Sequence, residues 1–167
     1  MPRPDRSAHF ILTRSFNAPR ELVYDTMTQT DHLQKWWGPQ GCTIDVIKHE
    51  ARPGGAFHYC MRFGPGVDMY GKFQYRELVR PERIVFTNGF ADAEGNPIRY
   101  VMSPTWPIEV LNTTTLVEHD GKTTMTLHSA PLGEDPIEIE TFKAGHASME
   151  QGFGGMYDVY EQYLATL

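Results

Sequence analysis

Cysteine is scarce: Cys42 and Cys60 are the only two in 167 residues, and neither belongs to a Cys-x-x-Cys pair. That excludes a disulfide-built scaffold and a cysteine zinc site. Basic charge is also short. Lysine and arginine number 15 against 21 acids, a net charge of −6, which places nucleic acid outside the expected partners. No apolar run reaches the length of a signal-peptide core or a membrane span, so a membrane partner is not expected and a cytoplasmic location is. A glycine-rich phosphate loop and a Gly-x-Ser nucleophile turn are both missing, which leaves nucleotide binding and nucleophilic hydrolysis without support. Internal repeats and low-complexity tracts are absent too. What remains is ordinary globular composition, 40% hydrophobic and 22% charged. The length suits a single domain over 1–167, with residues 1–8 flexible and enough chain to enclose a cavity.

Residues 9–16 are rich in strand formers. Asn17-Ala18-Pro19-Arg20-Glu21 then starts a helix, with proline in its first turn and Glu21 near the positive end of the dipole. Thr30-Asp31 offers a second cap for a helix carrying Leu33, Trp36 and Trp37, stopped by Gly38-Pro39. From 42 to 129 the turn signals come at hairpin spacing, the mark of an antiparallel meander without crossover helices. After Pro131 the period changes. Phe142, Met149, Phe153, Met156 and Tyr160 recur as one face of a long amphipathic helix, which must cover the apolar side of the sheet.

The hairpins can be registered from their turns. A symmetric turn at Arg52-Pro53-Gly54-Gly55 sets Val46 opposite Met61, Lys48 opposite Tyr59 and Glu50 opposite Phe57. His49 then meets His58 on the other face, a solvated pair with no third ligand and a poor metal site. Cys60 meets Ile47 and not Cys42, so both thiols are expected free, in a reducing compartment. A turn at Arg80-Pro81-Glu82-Arg83 pairs Phe73 with Phe90, Tyr75 with Asn88, Glu77 with Phe86 and Val79 with Ile84. Asp120-Gly121 pairs Leu116 with Met125 and Thr114 with Leu127.

Several segments together carry a resemblance. Phe16-Asn17-Ala18-Pro19, Trp36-Trp37-Gly38-Pro39, Arg52-Pro53-Gly54-Gly55, Tyr70-Gly71-Lys72-Phe73-Gln74-Tyr75, Pro81-Glu82-Arg83-Ile84-Val85-Phe86-Thr87 and the terminal Gly152-Phe153 helix stand in this order along nearly the whole chain. The sequence resembles the activator-of-Hsp90-ATPase-homologue-like branch of the START-like (SRPBCC) superfamily. The resemblance implies an α+β helix-grip (START-like, Bet v 1-like) fold: a curved antiparallel sheet wrapped on a long C-terminal helix, two short helices between strands 1 and 2, and a deep apolar cavity. Members of the superfamily bind lipids and hormones, cyclise or dehydrate polyketides, sequester drugs or serve as co-chaperones, so the fold leaves the activity open. The eukaryotic co-chaperones carry a separate N-terminal domain not seen in this sequence, so an Hsp90-type partner is not expected.

The terminal helix holds Gly145, Gly152, Gly154 and Gly155, which cost roughly 4 kcal/mol of helix propensity at about 1 kcal/mol each. Close packing, a break in the helix, or room left for a ligand would each account for them. On the third reading Phe57, Tyr59, Met61, Met69, Phe73 and Tyr75 line the space from one side, with Asn88, Phe90 and Met125. Met149, Gly152, Phe153 and Met156 close it from the helix. On the first, the same stripe is plain core. Methionines suit a wall that adapts to an irregular apolar guest.

Lys48, Glu50, Glu77, Asn88 and Asn112 are polar intruders on this face. Glu77, if sealed from water, is a candidate for acid or base work. Otherwise it pairs with Lys48 or an arginine, or a bulge turns it outward. Asn88 and Tyr75 could orient a ligand carbonyl or hydroxyl. Of Trp36 and Trp37, one can anchor the core while the other covers the cavity mouth. Tyr100, Met102 and Trp106 in the 91–107 loop could cap the cavity or form a homodimer interface. The leading expectation is a receptor for a hydrophobic small molecule, with no metal or organic cofactor. The alternatives are a polyketide cyclase/dehydratase-like enzyme using Glu77 and Tyr75, and an Hsp90-activator-like interaction protein.

Overall fold

The computed structural model describes residues 6–167. Its framework is one curved antiparallel sheet of strands Phe10–Phe16 (β1), Thr43–His49 (β2), Ala56–Arg62 (β3), Asp68–Val79 (β4), Arg83–Ala91 (β5), Val110–His119 (β6) and Lys122–Pro131 (β7). Across the sheet the order is β1-β7-β6-β5-β4-β3-β2, so the meander from β2 to β7 is continuous and β1 returns beside β7. Helices Arg20–Thr28 (α1) and Thr30–Trp36 (α2) join β1 to β2, and Pro136–Ala144 (α3) and His146–Leu164 (α4) follow the sheet. This is the helix-grip order. Part of the segment expected to be flexible, residues 1–5, lies outside the described residues. Within them Arg6–Ala8 form a 3-10 turn, Ala8 is buried, and its carbonyl accepts a hydrogen bond from His146 Nε2 at 3.0 Å. Among the described residues no helix is long and apolar enough to cross a membrane.

The Asp120-Gly121 hairpin has the register its turn demands. Both residues take positive φ (52° and 75°), His119 pairs with Lys122, and Leu116 meets Met125. The other two hairpins differ from the symmetric expectation. At the β2–β3 turn the Arg52 amide bonds to the Glu50 carbonyl, which takes Ala51 out of the ladder, and a bulge between Val46 and Lys48 absorbs a second residue. Val46 therefore pairs with Tyr59, Ile44 with Met61, Asp45 with Cys60, Lys48 with His58 and His49 with Phe57. Between β4 and β5 the turn takes three residues, so Val79 meets Arg83. A bulge between Tyr75 and Glu77 then sets Tyr75 opposite Phe86, Phe73 opposite Asn88 and Gly71 opposite Phe90.

These two bulges have the same consequence. A single extra residue reverses which side chains face inward beyond it. Lys48 turns to solvent at 61% exposure and, with Arg52, holds Glu50 in ion pairs, while His49 comes inward against Phe57. Likewise Glu77 leaves the inner face and Leu78 packs on the core beside Ile84. Three charged residues expected inside are thereby removed from it.

The core lies between the inner face of the sheet, α1, α2 and the C-terminal half of α4. Tyr160 packs tilted against Trp36 with ring centroids 4.4 Å apart and meets Phe16 edge-on at 4.9 Å, and its hydroxyl lies 2.7 Å from Thr26 Oγ1. The Trp36 indole donates to the Thr26 carbonyl at 2.9 Å. Arg14 of β1 ties α4 to the sheet through Asp158 (2.5 Å), Glu161 (2.9 Å) and the Gly154 carbonyl (3.1 Å). The expected single long helix is broken. Asp135 caps α3 at the Ile137 amide, and Gly145 lies between α3 and α4, where a Cβ would sit 2.7 Å from the Trp106 ring.

Candidate functional site

Between the sheet and the N-terminal half of α4 lies a cavity of about 690 Å³. One wall is sheet: Tyr59 and Met61 from β3, Met69 and Gly71 from β4, Asn88 and Phe90 from β5, Val110 and Asn112 from β6. Met149, Gly152, Phe153 and Met156 of α4 face it, and Trp37-Gly38-Pro39 closes one end. At the other end Tyr100 stacks on Phe90 with centroids 4.3 Å apart, and Trp106 lies 5.3 Å from Phe142. The loop bearing these two rings is fixed to α3 by Arg99–Glu138 at 3.0 Å and by Thr105–Thr141 hydroxyls 2.8 Å apart. Among the described residues, no aspartate, glutamate, lysine, arginine or histidine lines it. Gly152 is the open position of the helix: a Cβ there would meet nothing within 4 Å, and the same holds at Gly154.

Nine of the residues expected to line such a space do so: Tyr59, Met61, Met69, Asn88 and Phe90 on the sheet side, and Met149, Gly152, Phe153 and Met156 on the helix side. Phe57, Phe73, Tyr75 and Met125 do not. They face inward, but lie where the sheet is packed solid, Phe73 stacked on Phe86 at 4.3 Å and Met125 fully buried. The two tryptophans divide as their 100° separation requires, Trp36 in the core and Trp37 on the cavity wall. Gly71 and Gly89 line the wall without having been singled out. A Cβ on Gly71 would fall 2.4 Å from the Tyr59 hydroxyl, so the missing side chain lets the Tyr59 ring lie across β4. Alternation from Met69 and Phe73 would have found Gly71.

Glu77 and Tyr75 form no acid–base pair on this cavity. The Glu77 carboxylate is 46% exposed on the outer face and pairs with Arg83 at 3.4 Å, because the bulge before it reverses its direction. Tyr75 is 2% exposed, and burial pushes its phenol far above the ordinary range. Its hydroxyl lies 2.9 Å from His49 Nε2, and His49 Nδ1 lies 2.7 Å from Thr30 Oγ1. Nor are His49 and His58 solvated neighbours. Burial lowers the His49 pKa, while His58 is 5% exposed on the opposite face and donates through Nε2 to the Asp92 carbonyl at 3.0 Å. Both cysteines are free thiols, raised by burial. Among the described residues no three His, Cys, Asp or Glu side chains are grouped to hold a metal ion.

The polar part of the cavity wall is an amide pair. Asn112 and Asn88 side chains are joined at 2.7 Å, and Ser129, paired with Asn112 across β6 and β7, supports them from behind. Tyr59 adds a phenol that burial pushes up to about 12, so it is uncharged at neutral pH. The wall therefore offers apolar area, hydrogen bonds and no charge.

The shape has close counterparts among solved structures. Protein Ms6760 from Mycobacterium smegmatis superimposes with a TM-score of 0.76 at 24% identity, covering 95% of this chain and 91% of that one. A solution structure of a protein from Arthrobacter aurescens gives 0.81 at 23%, covering 99% and 91%, and protein CV1439 from Chromobacterium violaceum gives 0.65 at 26%, covering 92% and 97%. Their likeness is one of fold. No protein of curated function matches the sequence. The segments that suggested a family in the sequence fall almost wholly within residues 17–165, which match the family described as Activator of Hsp90 ATPase homolog 1-like protein, and the chain belongs to that family.

Proposed function

We propose that this protein is a receptor for an apolar or aromatic small molecule held between the sheet and the first half of α4. The observation that carries this reading is the cavity of about 690 Å³ lined without a single charged side chain. Its volume falls within the roughly 300–1,000 Å³ of sites that enclose a small organic molecule. Each 100 Å² of ligand apolar surface taken from water contributes about 2.5 kcal/mol before the costs of association. Tyr59, Trp37, Phe90 and Phe153 supply flat area, and the methionines adapt to the guest's outline.

Native mass spectrometry of protein purified from its own host tests the reading, with Gly152→Trp as the comparison. The new indole enters open space and occupies it. The wild-type protein is expected to retain a small molecule, or to take one up from an apolar mixture, and the folded variant to lose it. Equal occupancy of both proteins, or none in either after exposure to such a mixture, would overturn the reading.

A further inference from the structure

Resting on the cavity being a ligand site, we propose that it selects an uncharged ligand whose carbonyl oxygen accepts a hydrogen bond from the Asn88 side-chain amide. The orientation of that amide follows from its neighbours. The Val110 backbone carbonyl can only accept, and it lies 3.1 Å from one end of the Asn112 side chain, so that end is Nδ2. The Ser129 hydroxyl then donates to Asn112 Oδ1 at 2.6 Å. Asn112 Nδ2 gives its other hydrogen to Asn88 Oδ1 at 2.7 Å. Asn112 is 2% exposed and Ser129 fully buried, so water does not loosen the arrangement. With Oδ1 so engaged, Asn88 Nδ2 has no hydrogen-bond partner among the described residues, and it is not sealed among the buried atoms. It stands on the cavity wall as a donor held in place by three adjoining strands.

A donor on an apolar wall loses free energy when a ligand displaces its water and offers nothing in return. A carbonyl oxygen makes the bond without bringing a further donor that would itself need a partner. Charged ligands are disfavoured for the complementary reason. A carboxylate, phosphate or ammonium would leave water for a wall with no counter-charge, and the Tyr59 phenol stays neutral. The ligand class is thus an apolar or aromatic ketone, ester, lactone or quinone rather than a free acid or an amine.

Three dimethylaminonaphthalene probes separate the possibilities: one bearing a propionyl ketone, one a propyl group in its place and one a carboxylate. Affinities come from fluorescence titration of the full chain. The ratio of ketone to propyl affinity is expected to fall roughly five- to tenfold from wild type to Asn88→Leu, with Asn88→Ala as the second variant. The carboxylate is expected to bind at least about tenfold more weakly than the ketone. In wild type the infrared carbonyl stretch of the bound ketone should lie below its position in a dry apolar solvent. An unshifted stretch overturns the inference even if neither variant folds, and so does an unchanged affinity ratio or a carboxylate that binds as tightly as the ketone. Tight binding of the propyl probe alongside an unshifted ketone stretch removes this inference and leaves the receptor reading intact. If no probe binds wild type, both fall.

Discussion

Gly152 is the position where helix stability and the cavity can be read from one substitution. Glycine in a helix interior costs about 0.8–1.0 kcal/mol relative to alanine, and the only opposing term is whatever the added methyl strikes. At Gly152 and Gly154 it strikes nothing within 4 Å. Gly152→Ala should therefore stabilise the ligand-free protein by about 0.8–1.0 kcal/mol, raising Tm by roughly 2–4 °C for a chain of this size. The Gly152→Ala/Gly154→Ala double variant should gain about twice that, since the two methyls share no neighbour. Gly145→Ala and Gly71→Ala are the opposing controls. Their methyls would fall 2.7 Å from the Trp106 ring and 2.4 Å from the Tyr59 hydroxyl, so each should lose about 1–3 kcal/mol. Urea unfolding at constant m-value, together with thermal melts, measures all four. If Gly152→Ala is neutral or destabilising while the two controls behave as expected, the space over Gly152 is filled in solution and the argument from an open cavity fails.

Two other outcomes follow from groups that the bulges reposition. The folded-state pKa of His49 is lowered from the ordinary 6.5 by burial, so its stabilising contribution is complete above that value and is lost as pH falls below it, when the unfolded chain binds the proton first. His128, also lowered by burial and then by His9, acts in the same direction. Stability measured by urea unfolding should therefore decline from pH 7.5 to 5, and His49→Gln should flatten the decline; an equally steep dependence in the variant would contradict the assignment. Glu77→Gln removes only a half-exposed pair with Arg83, so stability should change by less than about 0.5 kcal/mol and probe binding should be unchanged. A loss of binding in that variant would place Glu77 back at the cavity.

The candidate site was legible in the sequence to the extent that alternation along strands and helix spacing pick out an inner face. Tyr59, Met61, Met69, Asn88, Phe90 and the α4 residues were found that way and do border the cavity. Phe57, Phe73, Tyr75 and Met125 obey the same alternation yet lie in solid core, because periodicity identifies a face and not where along it space is left unfilled. The polarity of the Asn88 amide was not legible at all. It depends on a serine two strands away and on the direction of one backbone carbonyl.

Element order, the two linking helices, the meander and the β6–β7 register were settled by local chemistry: proline and acidic residues at a helix start, Asp120-Gly121 in positive φ, and the change of period after Pro131. Whether Lys48, Glu50 and Glu77 faced in or out was settled elsewhere, by single-residue bulges in β2 and β4 that let the pairing of each strand accommodate turns one residue longer than symmetry allows. The need for glycine at 145 likewise answers to Trp106, a ring from a distant loop. A turn is a contract between neighbours in the chain and leaves its mark on their identities, whereas a bulge and an unfilled volume are decided by what other strands and helices bring alongside.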